Sequence, residues 1–255
     1  MTLRIKKMNQ RPYILSIAGY DPCGGAGVLA DVKTAEYLQC LGMGVLTANT
    51  IQTEDTFVSV RWLEEKQILK QLDTLLTRYH FGAVKVGIVE SFQRLQTIVN
   101  KVKEYQPSVL IIWDTVLSAS SGFDFVNDIN QEKLMTLLKS IDLITPNANE
   151  VHKLTGNEDV YQGAKDLSKH INILLKGGHR TDKMGVDTLF YNGIEIDFLP
   201  RNTQVFPKHG SGCMLSSAIA SNIALGNSLE ISCEKSKCFI EKQLLSNHSL
   251  LAYYV

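Results

Sequence analysis

Apolar positions along this chain switch repeatedly between strand-like and helix-like spacing. YILSIA (Tyr13–Ala18) is a compact apolar run closed by Gly19. In the following VLADVKTAEYLQCLG, Val28, Val32, Ala35 and Leu38 recur at helical spacing. GVLTANTIQT (Gly44–Thr53) is strand-like, and FVSVRW (Phe57–Trp62) alternates like an exposed strand. Residues 64–80 read as a helix and AVKVGIV (Ala83–Val89) as a buried strand. Ser91 is placed to cap a helix whose apolar stripe is Phe92, Leu95, Ile98, Val99 and Val102. VLIIWDTV (Val109–Val116) is a central strand by its continuous apolar content, and DLITP, NILLKGG and DTLFYNG read as further strands. After KHGSGCM comes a helix ended by Gly226, and Ser228 is placed to cap a last one.

Strands alternating with helices predict an α/β fold: a mostly parallel sheet covered on both faces. No linker, low-complexity tract or internal repeat interrupts the 255 residues, so one domain over 1–255 is expected. In such sheets ligands bind beyond the carboxyl ends of the strands, so the residues just after each strand carry the functional reading.

Composition narrows the classes. Hydrophobic residues make up 44% and charged residues 20%, and 26 basic residues balance 26 acidic ones. Neutral charge without a basic stripe argues against a nucleic-acid partner. No apolar run reaches membrane-spanning length, and none follows the basic start as in a signal peptide, so a cytoplasmic location is expected. The five cysteines, Cys23, Cys40, Cys213, Cys233 and Cys238, contain no C-x-x-C. Neither a disulfide framework nor a zinc site is expected from their spacing.

Five strand ends carry candidate chemistry. AGYDPCGGAG follows the first strand and lets backbone approach a ligand at a helix start. It does not match the dinucleotide spacing G-x-G-x-x-G, and Asp31 and Glu36 come too early for the ribose acid. A tight turn for close packing is the other reading. Asp114, in WDTV at the carboxyl end of the central strand, is a site acid or a turn cap. Asn147 and Glu150, as N-x-x-E, either hold hydrated magnesium through oxygen or form a helix cap. Lys176 stands before Gly177 and Gly178 as a phosphate ligand or a surface lysine. Gly210, Ser211 and Gly212 can present consecutive N–H groups as an anion nest. Cys213 then falls in the first turn of a helix, where the dipole is expected to lower its pKa and favour a base. Together these describe phosphoryl transfer to a small alcohol.

The ordered motifs IAGYDPCGGAG, TANTIQT, VKVGIV, WDTV, LITPNANE, LLKGGH and HGSGC resemble hydroxymethylpyrimidine/phosphomethylpyrimidine kinases, the thiamin-biosynthesis branch of the ribokinase-like superfamily. The resemblance runs from about Tyr13 to about Leu244. It implies a three-layer α/β/α fold with a small edge hairpin around residues 47–62. It also implies ATP and Mg2+, with the hydroxymethylpyrimidine or its monophosphate as acceptor. Gly19, Asp31, Gln52 and Val116 are expected to line the pyrimidine pocket, and a homodimer is expected. Asn147, Lys176 and Gly178 are expected on the ATP, with Glu150 and Asn147 on the magnesium through water. Gly210, Ser211 and Gly212 are expected to form the anion hole, and Cys213 to stand where the wider superfamily carries an aspartate base. Tyr20, Cys23, Lys208 and Met214 depart from the usual motifs. Pyridoxal kinases share the GxGC pattern and are the alternative. A non-catalytic binding homologue and a nicotinamide oxidoreductase are further readings, the last weakened by the missing fingerprint.

Overall fold

A computed structural model describes residues 10–118, 122–125, 129–202 and 204–255. In chain order its elements are β1 (Tyr13–Tyr20), α1 (Gly27–Tyr37), β2 (Leu41–Gln52), β3 (Phe57–Trp62), α2 (Glu65–Arg78), β4 (Phe81–Val86), α3 (Phe92–Tyr105) and β5 (Leu110–Trp113). There follow α4 (Gln131–Leu138), β6 (Leu143–Ile144), α5 (Ala148–Thr155), α6 (Val160–Leu167), β7 (Asn172–Leu175), β8 (Asp187–Tyr191), β9 (Ile194–Phe198), α7 (Ser211–Ala224) and α8 (Leu229–Leu245). The strands form one sheet in the order β3-β2-β1-β4-β5-β6-β7-β8-β9. From β2 to β7 neighbours are parallel, while β3, β8 and β9 add antiparallel edges.

Alternate residues of each strand enter two separate cores. Leu15, Ile17, Val84, Val86, Ile111 and Ile173 pack with α2 to α6 on one face. Ile14, Ala83, Ile112 and Leu174 pack with α1, α7 and α8 on the other. That is the expected three-layer arrangement, with period-2 side-chain direction feeding both layers. The hairpin expected at 47–62 is β2 and β3, which pair antiparallel at one sheet edge.

Several boundaries differ from the sequence pattern, and each has a local cause. The first helix stops at Tyr37 rather than running to Gly42, because Gln39 adopts a left-handed φ of 64°. The second strand therefore starts at Leu41. The predicted helix caps are present: Ser91 accepts from Arg94 N–H and Ser228 from Ile231 N–H. Helices α4 and α6 and strand β9 are additional to the elements read from the sequence.

The chain direction of the sheet sets the site. β2 lies to one side of β1 and β4 to the other, so connections leave in opposite directions between β1 and β4. This is the switch point where a crevice opens at the carboxyl ends. α7 packs below that crevice with its amino end toward it, and Met214 through Asn222 are all buried.

Candidate active site

Four strand ends and the start of α7 meet in one place. Asp114 follows β5 and is fully buried. Its Oδ1 lies 3.1 Å from Lys176 Nζ, just beyond β7, and accepts from Thr145 Oγ1 at 3.2 Å, just beyond β6. Lys176 Nζ is also 3.6 Å from Glu150 Oε2 in α5. A Cβ placed on Gly212 would lie 3.2 Å from Lys176 Nζ and 3.8 Å from Asp114 Oδ1. The nest before α7 therefore faces the lysine and the acid directly. Gly210 takes φ 72°, and a side chain there would fall 2.0 Å from the Gly25 carbonyl, so both conformation and space require glycine.

The turn before α7 is open. No side chain caps the helix, and no acceptor inside the protein takes the Gly212 or Cys213 N–H among the described residues. Free amides at a helix start beside an ammonium group form an anion site.

Asn147 and Glu150 form a capping box. Asn147 Oδ1 accepts from Glu150 N–H at 3.0 Å, and Glu150 Oε2 accepts from Asn147 N–H at 2.7 Å and from Thr115 Oγ1 at 3.1 Å. The two residues bond each other rather than offering two free oxygens side by side. Burial raises the Glu150 pKa against the attraction of Lys176. For Asp114, burial opposes the charge, but Lys176 and Lys85 outweigh it and hold the carboxyl below its ordinary value. Asp114 Oδ2 is buried without a hydrogen-bond partner and lies 3.9 Å from Lys85 Nζ.

One expectation is corrected here, that of the Cys213 thiol. Asp31 is 3% exposed and engaged by the protein's own groups. Its carboxylate takes Lys85 Nζ at 2.9 and 3.0 Å, the Ser217 hydroxyl at 2.6 Å and the Ser16 hydroxyl. Its helix, α1, turns that face toward β4 and α7. The Cys213 thiol is not depressed. Burial pushes it up to about 12, Asp114 and Asp31 add to the rise, and Lys85 and the Gly27 N–H only partly oppose it. Two carboxylates, Asp114 and Asp31, already act on this position, so a further anion is disfavoured. The helix start is real, but desolvation wins over the dipole.

Other predicted residues are distributed around this centre. Gly19 ends β1 against the Ile88 side chain, which a Cβ there would meet at 2.5 Å. Gln52 ends β2 and donates to Thr50 Oγ1 at 2.8 Å, while Thr50 donates to the Tyr20 carbonyl at 2.9 Å. The hairpin is thereby tied over the end of β1. Val116 is half-buried just after Asp114. Gly178 is exposed in a short 3-10 turn after Lys176. Of the departures, Met214 is a buried core residue, and Lys208 is buried as well. Lys208 Nζ donates to the Asn247 and Ser249 carbonyls, each at 2.6 Å, and fastens the C-terminal segment.

Sequence reasoning missed Lys85, which is fully buried in β4 and reaches the face shared with α1 and α7. Burial works against its charge, yet Asp31 and Asp114 hold its pKa above the ordinary value. The available signal was a lysine inside the apolar run AVKVGIV, a position that requires a buried partner. The Asp21–His209 contact at 3.0 Å, which ties the first loop to the residue before the nest, carried no such signal.

This fold and strand-end site define a ribokinase-like small-molecule kinase. The chain belongs to the phosphomethylpyrimidine kinase family, whose pattern matches residues 21–254. A hydroxymethylpyrimidine/phosphomethylpyrimidine kinase of Saccharomyces cerevisiae is 35% identical over 238 residues, which are 86% of this chain and 43% of that protein. The chain thus spans under half the length of that relative. The crystal structure of a phosphomethylpyrimidine kinase from Clostridium difficile superposes with a TM-score of 0.75 at 32% identity, covering 90% of this chain and 98% of the other. The pyridoxal kinase of Staphylococcus aureus in complex with pyridoxal superposes with a TM-score of 0.78 at 26% identity, covering 92% and 88%.

Proposed function

We propose that this chain transfers the γ-phosphoryl group of ATP to 4-amino-5-hydroxymethyl-2-methylpyrimidine or its monophosphate, in thiamin biosynthesis or salvage. The observation that carries the reading is the open glycine turn before α7 facing Lys176 and Asp114 at the sheet's switch point. Family membership and the pyrimidine-kinase relatives support the acceptor.

In this reading the Gly210–Cys213 N–H groups and Lys176 hold the transferring phosphoryl group, whose charge they offset without reorganisation. Gln52, at the end of the hairpin, offers an amide donor and acceptor to the aminopyrimidine edge. Gly19 and Val116 complete the acceptor side, and Gly178 lies on the nucleotide side. Magnesium fits the donor set present: the orphaned, buried Asp114 Oδ2 and the Glu150 carboxylate are hard oxygen ligands. When bound, the ion would neutralise phosphate charge. In its thiolate form Cys213 receives the alcohol's proton late, as the alcohol oxygen bonds to phosphorus and the bond to the ADP oxygen breaks. A loose transition state makes a weakly ionised thiol tolerable as that acceptor. A homodimer is proposed on the family resemblance alone.

The test is ATP consumption by purified protein with the hydroxymethylpyrimidine and pyridoxal side by side, with product masses measured. Faster conversion of the pyrimidine is expected. Much faster conversion of pyridoxal would overturn the acceptor, and no turnover with either would favour a binding protein.

A further inference from the structure

Among the described residues, one group of three side chains places metal-ligating atoms close enough to share an ion, and it lies beside the active site. The group is Asp21, Cys23 and His209, with all three donor atoms within 4.8 Å of one another. His209 Nε2 is 3.0 Å from Asp21 Oδ2, and Cys23 Sγ is 3.1 and 3.2 Å from the two Asp21 oxygens. Neighbouring ligands around one ion, at metal–ligand distances of about 2.0–2.3 Å, stand only slightly farther apart.

The donors are held in place before any ion arrives. Asp21 is buried, and its carboxylate accepts the Cys23 N–H at 3.0 Å and the Ala26 N–H at 2.8 Å. The His209 ring packs on Gly25, where a Cβ would lie 2.6 Å from ring Cδ2. The His209 N–H donates to the Leu250 carbonyl at 2.9 Å, which fixes the backbone behind the ring. Little ordering remains to be done on binding.

We propose that Asp21, Cys23 and His209 bind a thiophilic divalent cation of the zinc class, with water completing a tetrahedron. Thiolate, imidazole and carboxylate together favour zinc or cobalt over magnesium, which requires oxygen ligands. The site is therefore chemically separate from the magnesium–ATP side. On binding, the Cys23 thiol proton passes to solvent. The His209 proton moves to Nδ1, and the Nε2 lone pair goes to the metal. One proton is released per ion, and the two positive charges are balanced by thiolate and carboxylate. An ion here would tie the loop after β1 to the residue just before Gly210, joining the two glycine turns of the active site.

The test is a Co2+ titration of the metal-stripped full chain, read by sulfur-to-cobalt charge transfer in the near ultraviolet and by visible ligand-field bands. One equivalent with a thiolate band, displaced by Zn2+, is expected. Cys23→Ser should lose the charge-transfer band while its thermal melt stays cooperative. His209→Gln should weaken the ligand-field bands, and Cys213→Ala should keep both features. No thiolate band in the wild type would overturn the proposal, as would a band that persists in Cys23→Ser or disappears in Cys213→Ala.

Discussion

Two glycine-rich turns pack directly against each other, and they differ in what fills them. The turn after β1, Gly24 to Gly27, is closed on the protein's own acid: Asp21 takes the Cys23 and Ala26 N–H groups. In the turn before α7, the Gly212 and Cys213 N–H groups have no internal acceptor among the described residues, and the turn meets Lys176. A turn already holding a carboxylate repels phosphate, while an open one beside an ammonium group attracts it. Glycine content alone does not define a phosphate site; the occupancy of the amides does. In the proposed function, this contrast gives the alcohol to the first turn and the phosphoryl group to the second.

The largest expected effect tests the second turn. Cys213→Ala should lower kcat by about 10²–10⁴-fold, the range of a general base, with ATP and pyrimidine KM nearly unchanged. Turnover near wild type would make Cys213 a small residue filling the helix turn. Next comes the lysine at each turn. Lys176→Met should lower kcat by about 10²–10³-fold, as for loss of one charge-stabilising donor. Lys33, whose Nζ donates to the Gly24 carbonyl at 2.8 Å, is the counterpart at the first turn. Lys33→Met should leave ATP use largely intact, and equal losses in both variants would erase the contrast.

The pH profile is a smaller effect. Because burial pushes the Cys213 thiol up to about 12, it is protonated at neutral pH. If thiolate is the reacting form, kcat should climb toward alkaline pH by up to about tenfold per unit. A plateau from neutral pH onward would mean that bound ligands depress the thiol. In the ligand-free enzyme, alkylation of Cys213 at neutral pH should be slow, contrary to what its helix position alone implies.

The smallest effect concerns the closed turn. Burial opposes the Asp21 charge, but hydrogen bonds from His209, Cys23 and Ala26 outweigh it and lower the pKa. Its stabilising contribution is therefore full above its unfolded pKa of about 3.9 and is lost as pH falls through the lower folded value. Asp21→Asn should cost about 1–3 kcal/mol in a denaturant titration at neutral pH. The variant should also be less sensitive to acid than the wild type. Unchanged stability would mean that the turn does not depend on its carboxylate.

Much of this was legible from the residues. Alternating apolar periods disclosed the parallel sheet, because strands buried on both faces must be apolar throughout. The strand-end rule located Asp114, Lys176 and Glu150, and the motif order located the nest. Less accessible were properties set by what packs behind a residue. Asp31 is paired with Lys85, a partner that the sequence around Asp31 does not report. Cys213 has the right position on its helix, but its burial decides its pKa, with the nearby acids adding to the rise. The Asp21–His209 contact joins residues 188 apart, a separation that no local pattern reports.

The most direct test is a crystal structure of the protein with magnesium, a non-hydrolysable ATP analogue and the hydroxymethylpyrimidine. The γ-phosphate should accept hydrogen bonds from the Gly212 and Cys213 N–H groups and from Lys176. The pyrimidine hydroxymethyl group should lie between Cys213 and the turn after β1. Phosphates seated instead on the Gly24–Gly27 turn, with the alcohol beside Lys176, would contradict the assignment.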